Sequence, residues 1–208
     1  MLPERTQDTL MPYFAKLPDA DRVEWICSDM WRPFKKSFRL YLPNAKLVID
    51  KFHVVRMASV ALDTERKNLQ SGMSRYARLN MKKHLRWLLL KRPNSLTEEQ
   101  LEVLAQLEKL HPELKEAYDF KEQFYNIYEA TTKNDAIQRF NDWERDIPKN
   151  IKSFRDVAKT VNNNFEDIFA YWDAPVRITN AYTEGHNGIT RVANRMGRGY
   201  TFEVLRAK

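Results

Sequence analysis

The sequence predicts a small α/β piece joined to a large, predominantly helical block. Three observations point there. Between residues 23 and 66, short apolar β-prone runs alternate with helical stretches, which is the rhythm of an α/β unit. From about Lys67 to Trp172 only helix signals occur. Glycine is scarce, at 5 in 208 residues, which argues against a loop-rich all-β chain.

Each element has a local reason. Glu4 to Lys16 reads as a short helix, started or interrupted at Pro12, and Asp19 to Asp21 as a turn. Val23 to Cys27 is apolar and β-prone, a buried strand ending at Ser28-Asp29. Pro33 suits the first turn of a helix. That helix runs to about Leu42, because Pro43 stops it. Leu47-Val48-Ile49 is a second short strand, ending at Asp50, and another helix starts near His53.

In the helical block, Thr97 with Gln100 three residues on forms a capping box. Asn134 is the expected N-cap of a helix whose Ala136, Phe140, Trp143 and Ile147 share one face and which Pro148 ends. Ile151 to Tyr171 reads as one further helix, with Val157, Val161, Phe165 and Ile168 as its stripe. Trp87, Trp143 and Trp172 are expected in the core. After Pro175, Asn180 caps a last helix starting at Ala181, which Gly197 and Gly199 end. Glu184, Asn187, Arg191 and Arg195 fall along one line of it. Ile189, Val192, Ala193 and Met196 fall along another, expected to pack on a core.

Composition narrows the function classes. A single cysteine, Cys27, excludes a disulfide framework and suits a reducing, cytoplasmic setting. No apolar leader occurs in the first ten residues, and no apolar run, Trp87 to Leu90 included, is long enough to span a bilayer. The formal net charge of +7 favours polyanionic partners, nucleic acid first. The charge is also segregated. Arg66 to Arg92 holds nine Lys or Arg and no acid, whereas Glu98 to Asp146 holds thirteen acids against six bases. Two solvated helix faces of opposite sign would give the same pattern.

Of four acids weighed, Asp63 is mid-helix and reads as ordinary, and three sit where chemistry is possible. Asp29 and Asp50 each end a strand, and Glu184 lies in the first turns of the final helix. Carboxylates at strand ends converge on one edge of an α/β sheet. Three of them can hold two hard divalent cations through oxygen. Such a pair activates an attacking oxygen and stabilises a leaving one at a phosphodiester. Bland roles compete with this reading. An Asp after a strand often caps a helix, a Glu near a helix N-terminus often answers its dipole, and a lone His such as His53 is often structural.

Two separate motifs resemble one family. Ser28-Asp29-Met30-Trp31, Leu42-Pro43-Asn44-Ala45 and Val48-Ile49-Asp50-Lys51-Phe52-His53-Val54-Val55 form the first. Thr179 to Asn187, followed by Arg195 to Tyr200 and Phe202, form the second. Together they resemble the ISL-three group of DDE-type insertion-sequence transposases, from about Leu2 to the C-terminus. The resemblance implies an incomplete α/β ribonuclease-H-like core with a large all-α insertion. The implied division is 1–66 partial core, 67–175 helical insertion and 176–208 final catalytic helix with the C-terminal segment. It implies Mg²⁺- or Mn²⁺-dependent cleavage and rejoining of element-end DNA. Glu184 becomes the last acid of the triad and either Asp29 or Asp50 the middle one, all three as metal ligands, with His53 beside them. Arg191, Arg195 and Arg198 become contacts to DNA phosphates; Lys82, Lys83 and Arg86, from the basic run, are further DNA-binding candidates on charge alone.

The first acid of such a triad belongs on an earlier core strand, and Met1 to Asp21 offers no Asp on a β-like run. The expectation is therefore a C-terminal portion, inactive in cleavage by itself, that works on double-stranded DNA at the bacterial nucleoid. It would do so as a homo-oligomer or beside a full-length transposase. The alternative is a non-catalytic helical module that binds DNA or another transposase chain.

Overall fold

The computed structural model describes residues 6–197, 201, 203 and 204, apart from the side chains of residues 7, 77 and 80–84. Helix dominates it, as expected, and the described residues hold one two-stranded sheet. The chain divides into two compact units, Met1–Lys51 with Glu166–Lys208, and Phe52–Phe165.

The first unit opens with α1 (Gln7–Ala15), whose N-cap Thr6 accepts the backbone N–H of Thr9. Pro12 lies inside α1 instead of starting or breaking it. Strand β1 (Trp25–Ser28) leads through α2 (Arg32–Tyr41) to β2 (Lys46–Ile49). The strands pair in parallel, Trp25 opposite Lys46 through Ser28 opposite Ile49. A parallel pair needs a crossover, and α2 supplies it. Pro33 stands at the start of α2 as its fixed φ favours, and the helix stops before Pro43. Val48 and Ile49 are fully buried, which is where β-branched side chains on a pleated strand belong. Rings from α1 and α2 pack together, with Phe14 to Phe38 at 5.3 Å and Phe34 stacked on Phe38 at 5.7 Å. Lys35 of α2 forms a half-buried ion pair with Asp167.

The second unit is helical throughout. Helix α3 (Lys51–Gln70) begins directly after Asp50, two residues before the expected start, and is followed by α4 (Arg75–Leu90), α5 (Glu98–Leu110) and α6 (Pro112–Asn126). The capping box at Thr97 and Gln100 is present in both directions. Helix α7 (Lys133–Asp146) is capped by Thr132, whose hydroxyl accepts the N–H of Asp135, and not by Asn134. Thr132 holds the extended backbone an N-cap requires. Helix α7 ends before Pro148, as expected.

The expected single helix from Ile151 to Tyr171 is broken. Helix α8 (Lys152–Asn162) and α9 (Phe165–Phe169) flank Asn163-Asn164, and a 3₁₀ turn over Ala170–Trp172 follows. Asparagine amides compete for backbone groups and so favour helix ends. The Asn164 amide does this, donating to the Thr160 carbonyl at 2.7 Å.

Trp143 anchors the core of this unit. Its indole N–H donates to the Phe120 carbonyl at 3.0 Å, and its ring lies 4.8 Å from Phe124 and 6.2 Å from Phe154. Trp87 departs from its expected place, at 67% exposure. Four consecutive helical residues sweep most of a circle, so Trp87 to Leu90 cannot all face inward. Leu88 and Leu89 take the inner positions. Trp172 is half-buried against Phe169 and Tyr171.

Lys121 is wholly buried, and its ammonium is fully used. It donates to the carbonyls of Leu89 at 2.8 Å and Lys91 at 3.0 Å, and it pairs with Glu122 at 2.6 Å. A lysine on the last carbonyls of a helix satisfies groups the helix cannot satisfy itself. Burial pulls its ammonium below the usual lysine range, against the opposing pull of Glu122. Arg92 completes the cluster, bonding Glu122, Glu129 and Asn126. Lys121→Met should cost roughly 3–5 kcal/mol, because it breaks a buried ion pair and takes the side-chain donor from the Leu89 carbonyl. Lys115→Ala, removing an i,i+4 pair with Asp119, should cost only about 0.3–0.5 kcal/mol. Urea unfolding of both variants checks this, and equal costs would contradict it.

A carboxylate edge and an exposed final helix

Asp29 and Asp50 stand one residue beyond the last paired positions of β1 and β2. The pairing continues to their doorstep, since the Asp50 N–H donates to the Ser28 carbonyl at 2.9 Å. Neighbouring strands run about 5 Å apart, so the two aspartates sit side by side at the carboxyl edge of the sheet. Asp50 is 4% exposed, and Asp29 is half-buried. The Asp29 Oδ1 accepts the N–H of Trp31 at 3.0 Å, which turns the chain into α2. Asp29 is thus not the N-cap of α2, which is Trp31 without a side-chain capping bond; its carboxylate shapes the turn that precedes the helix.

The other expected site residues are more dispersed. His53 lies in the first turn of α3, half-buried, its ring edge-on to Phe52 at 5.7 Å. Glu184 lies in the first turn of α10 (Ala181–Met196) and is exposed. Among the described residues no three His, Cys, Asp or Glu side chains come together to hold a metal ion. The edge thus presents two carboxylates whose hard oxygens suit a divalent cation. Glu184 is not gathered to them.

Helix α10 departs from expectation in its packing. Asn180 occupies the N-cap, but its side chain makes no capping bond; the Thr179 hydroxyl accepts the Ala181 N–H at 2.9 Å instead. Gly197 ends the helix. No residue of α10 is buried, and the expected packing face is open, with Ile189 at 68% and Met196 at 81% exposure. Amphipathic spacing marks a face that can be covered but does not supply a cover. Arg191 and Arg195 are exposed on this helix, and Arg198 and Gly199 lie outside the described residues.

The basic run from Arg66 to Arg92 is partly neutralised within the second unit. Asp63 binds Arg66 at 2.6 Å and Lys67 at 2.7 Å. Burial raises the Asp63 carboxyl, but the bonds from Lys67 and Arg66 outweigh it and hold the group below the usual aspartate range. Sequence spacing had marked Asp63 as ordinary. Its i+3 and i+4 bases were the signal for this role. Arg92 is engaged by Glu122 and Glu129 of the acidic stretch. Arg86 remains exposed beside the Trp87 ring at 5.7 Å, and Lys82 and Lys83 lie on α4 with their side chains outside the described set.

A model of the DDE transposase family of the ISL3 type, described simply as transposase, matches residues 1–208. The chain belongs to this transposase family. It is also 26% identical over 204 residues to the transposase for insertion sequence element IS1001 of Bordetella parapertussis. That alignment covers 95% of this chain and 50% of the relative, so the chain spans about half the relative's length. No solved structure matches. No described helix is long and apolar enough to cross a membrane.

Cys27 reports on this edge. Burial, then the negative charge of Asp50, push its thiol from 9.0 up to about 12. An unfolded chain releases that proton near pH 9 and the folded chain holds it to about 12, so this thiol disfavours folding as pH rises across that window. At pH 9, alkylation by iodoacetamide should be slower than that of an unstructured cysteine peptide by on the order of 10²–10³-fold, since only thiolate reacts. Asp50→Asn should speed it. A wild-type rate equal to the peptide's would contradict the placement of Cys27.

Proposed function

We propose that this chain is the C-terminal part of a DDE transposase, and that the whole protein cuts and rejoins DNA at the ends of a mobile element. Asp29 and Asp50, which follow neighbouring parallel strands at one edge, carry the reading. Membership of a transposase family over the full chain gives the chemistry its class. The reading takes β1, α2 and β2 as part of a ribonuclease-H-like core, interrupted by a helical insertion before α10.

In the completed enzyme, Asp29, Asp50 and Glu184 would hold Mg²⁺ or Mn²⁺. When bound, such an ion supplies Lewis acidity at the phosphorus and a more acidic attacking water. Either Asp29 or Asp50 serves as the middle acid of the triad. Asp29 follows the earlier strand, and Asp50 is the more buried. His53, three residues after Asp50, would orient a phosphate or a carboxylate. Arg191, Arg195 and Arg198 on and after α10, with Lys82, Lys83 and Arg86 on α4, would position duplex DNA through its phosphates. A further acid is required, and this chain alone is assigned no cleavage activity. The transposition partners in this reading are element-end duplex DNA and a second transposase chain.

A second reading is a non-catalytic DNA-binding or transposase-binding helical module. The exposed Arg75, Arg78 and Arg86 of α4 favour it. Cleavage by a completed transposase distinguishes the two. Glu184→Gln and Asp50→Asn should each reduce Mg²⁺-dependent cleavage by on the order of 10²–10³-fold, the scale of losing one group that stabilises a transition state. Duplex affinity, measured in the same variants, should persist. Undiminished cleavage would sink the catalytic assignment.

A further inference from the structure

The second unit contains a half-open cleft of about 520 Å³ between α3, the end of α4 and α6, a volume in the range of small-molecule sites. Four bases line it, Arg56, Arg66, Lys67 and Arg86, against a single acid, Asp63. Asp63 is already engaged by Arg66 and Lys67. Among the described residues, neither Arg56 nor Arg86 takes part in an ion pair. The Arg66 side chain is 4% exposed, and its Nη1 is buried with no hydrogen-bond partner, although Nε and Nη2 both donate to Asp63. A buried guanidinium N–H left unmatched costs free energy unless a ligand accepts from it.

The rest of the wall is apolar and open. Phe52 and Val60 line it at 61% and 56% exposure, with Leu89 and Leu90 beside them. Ser59 and Tyr125 add a polar edge, their hydroxyls 2.6 Å apart. A surplus of guanidinium and ammonium selects an anion with several acceptor oxygens. An exposed phenyl ring beside them selects a flat unsaturated body. An inorganic anion would leave the apolar wall in water, and an uncharged aromatic would leave Arg66 unmatched.

We infer that this cleft binds one nucleotide unit, its phosphate on Arg66, Arg56 and Arg86 and its base against Phe52. The unit is either a residue of a nucleic-acid strand or a free nucleotide. The site lies wholly within Phe52–Phe165 and does not depend on the carboxylate edge.

The test is fluorescence anisotropy of a labelled oligothymidylate on the full chain, with thymidine monophosphate and inorganic phosphate as competitors. Arg66→Ala would remove a buried guanidinium bonded to Asp63 and endanger folding, so the exposed Arg56→Ala, Arg86→Ala and Phe52→Ala carry the test. Each should weaken binding by roughly tenfold, the worth of one charge-assisted or stacking contact. Each arginine loss should also flatten the salt dependence by about 0.7 in log–log slope. Lys149→Ala and Lys152→Ala remove the same charge from exposed positions outside the cleft and should leave affinity near wild type. Displacement by thymidine monophosphate identifies the free nucleotide as sufficient, and resistance to it identifies the strand. Cleft variants that bind no worse than Lys149→Ala would overturn the site. Competition by inorganic phosphate equal to that by the nucleotide would overturn the role of the apolar wall.

Discussion

Everything proposed for the first unit depends on one pairing, the parallel ladder of β1 and β2. Parallel strands point their carboxyl ends the same way, so whatever follows each strand arrives at one edge. Here both strands are followed by aspartate. The ladder is only four residues long on each side. A two-stranded sheet has little stability of its own. Buried Val48 and Ile49, the ring cluster of α1 and α2, and the Lys35–Asp167 pair are what hold it. Mutations in that packing would act on the site through the spacing of Asp29 and Asp50, with no contact to any ligand.

The second unit is organised by a different constraint, a lysine with no access to water. Lys121 answers the unsatisfied carbonyls at the end of α4, and Tyr118 donates to the same Lys91 carbonyl at 3.1 Å. Glu122 then balances the charge and draws Arg92 to it. This explains how a run of nine bases and a run of thirteen acids coexist in one small unit. Part of each run neutralises the other internally. Arg66, Lys67 and Arg86 line the cleft, and Arg75 and Arg78 face solvent on α4.

Elements with local causes were readable in the sequence. Pro33 and Pro43 bound α2, Thr97 and Gln100 open α5, Gly197 closes α10, and both strands occur within about two residues of their apolar runs. What failed depended on tertiary context. Trp87 shares a helix with Leu88 and Leu89, and only packing decides which side turns inward. Asn163-Asn164 breaks a helix whose apolar stripe runs straight through it. The apolar line of α10 promised a packed face that the described residues leave open. At the candidate site, the adjacency of Asp29 and Asp50 was legible from their strand-end positions. The cleft was not, because its lining comes from α3, α4 and α6, far apart in sequence.

The most direct measurement is Mn²⁺ binding to this chain, followed by electron paramagnetic resonance of the free ion. Adjacent carboxylates at the strand edge predict a site that weakens in both Asp29→Asn and Asp50→Asn, with folding intact by circular dichroism. Binding that survives both substitutions, or no binding at any Mn²⁺ concentration short of precipitation, would contradict a divalent-cation site at this edge.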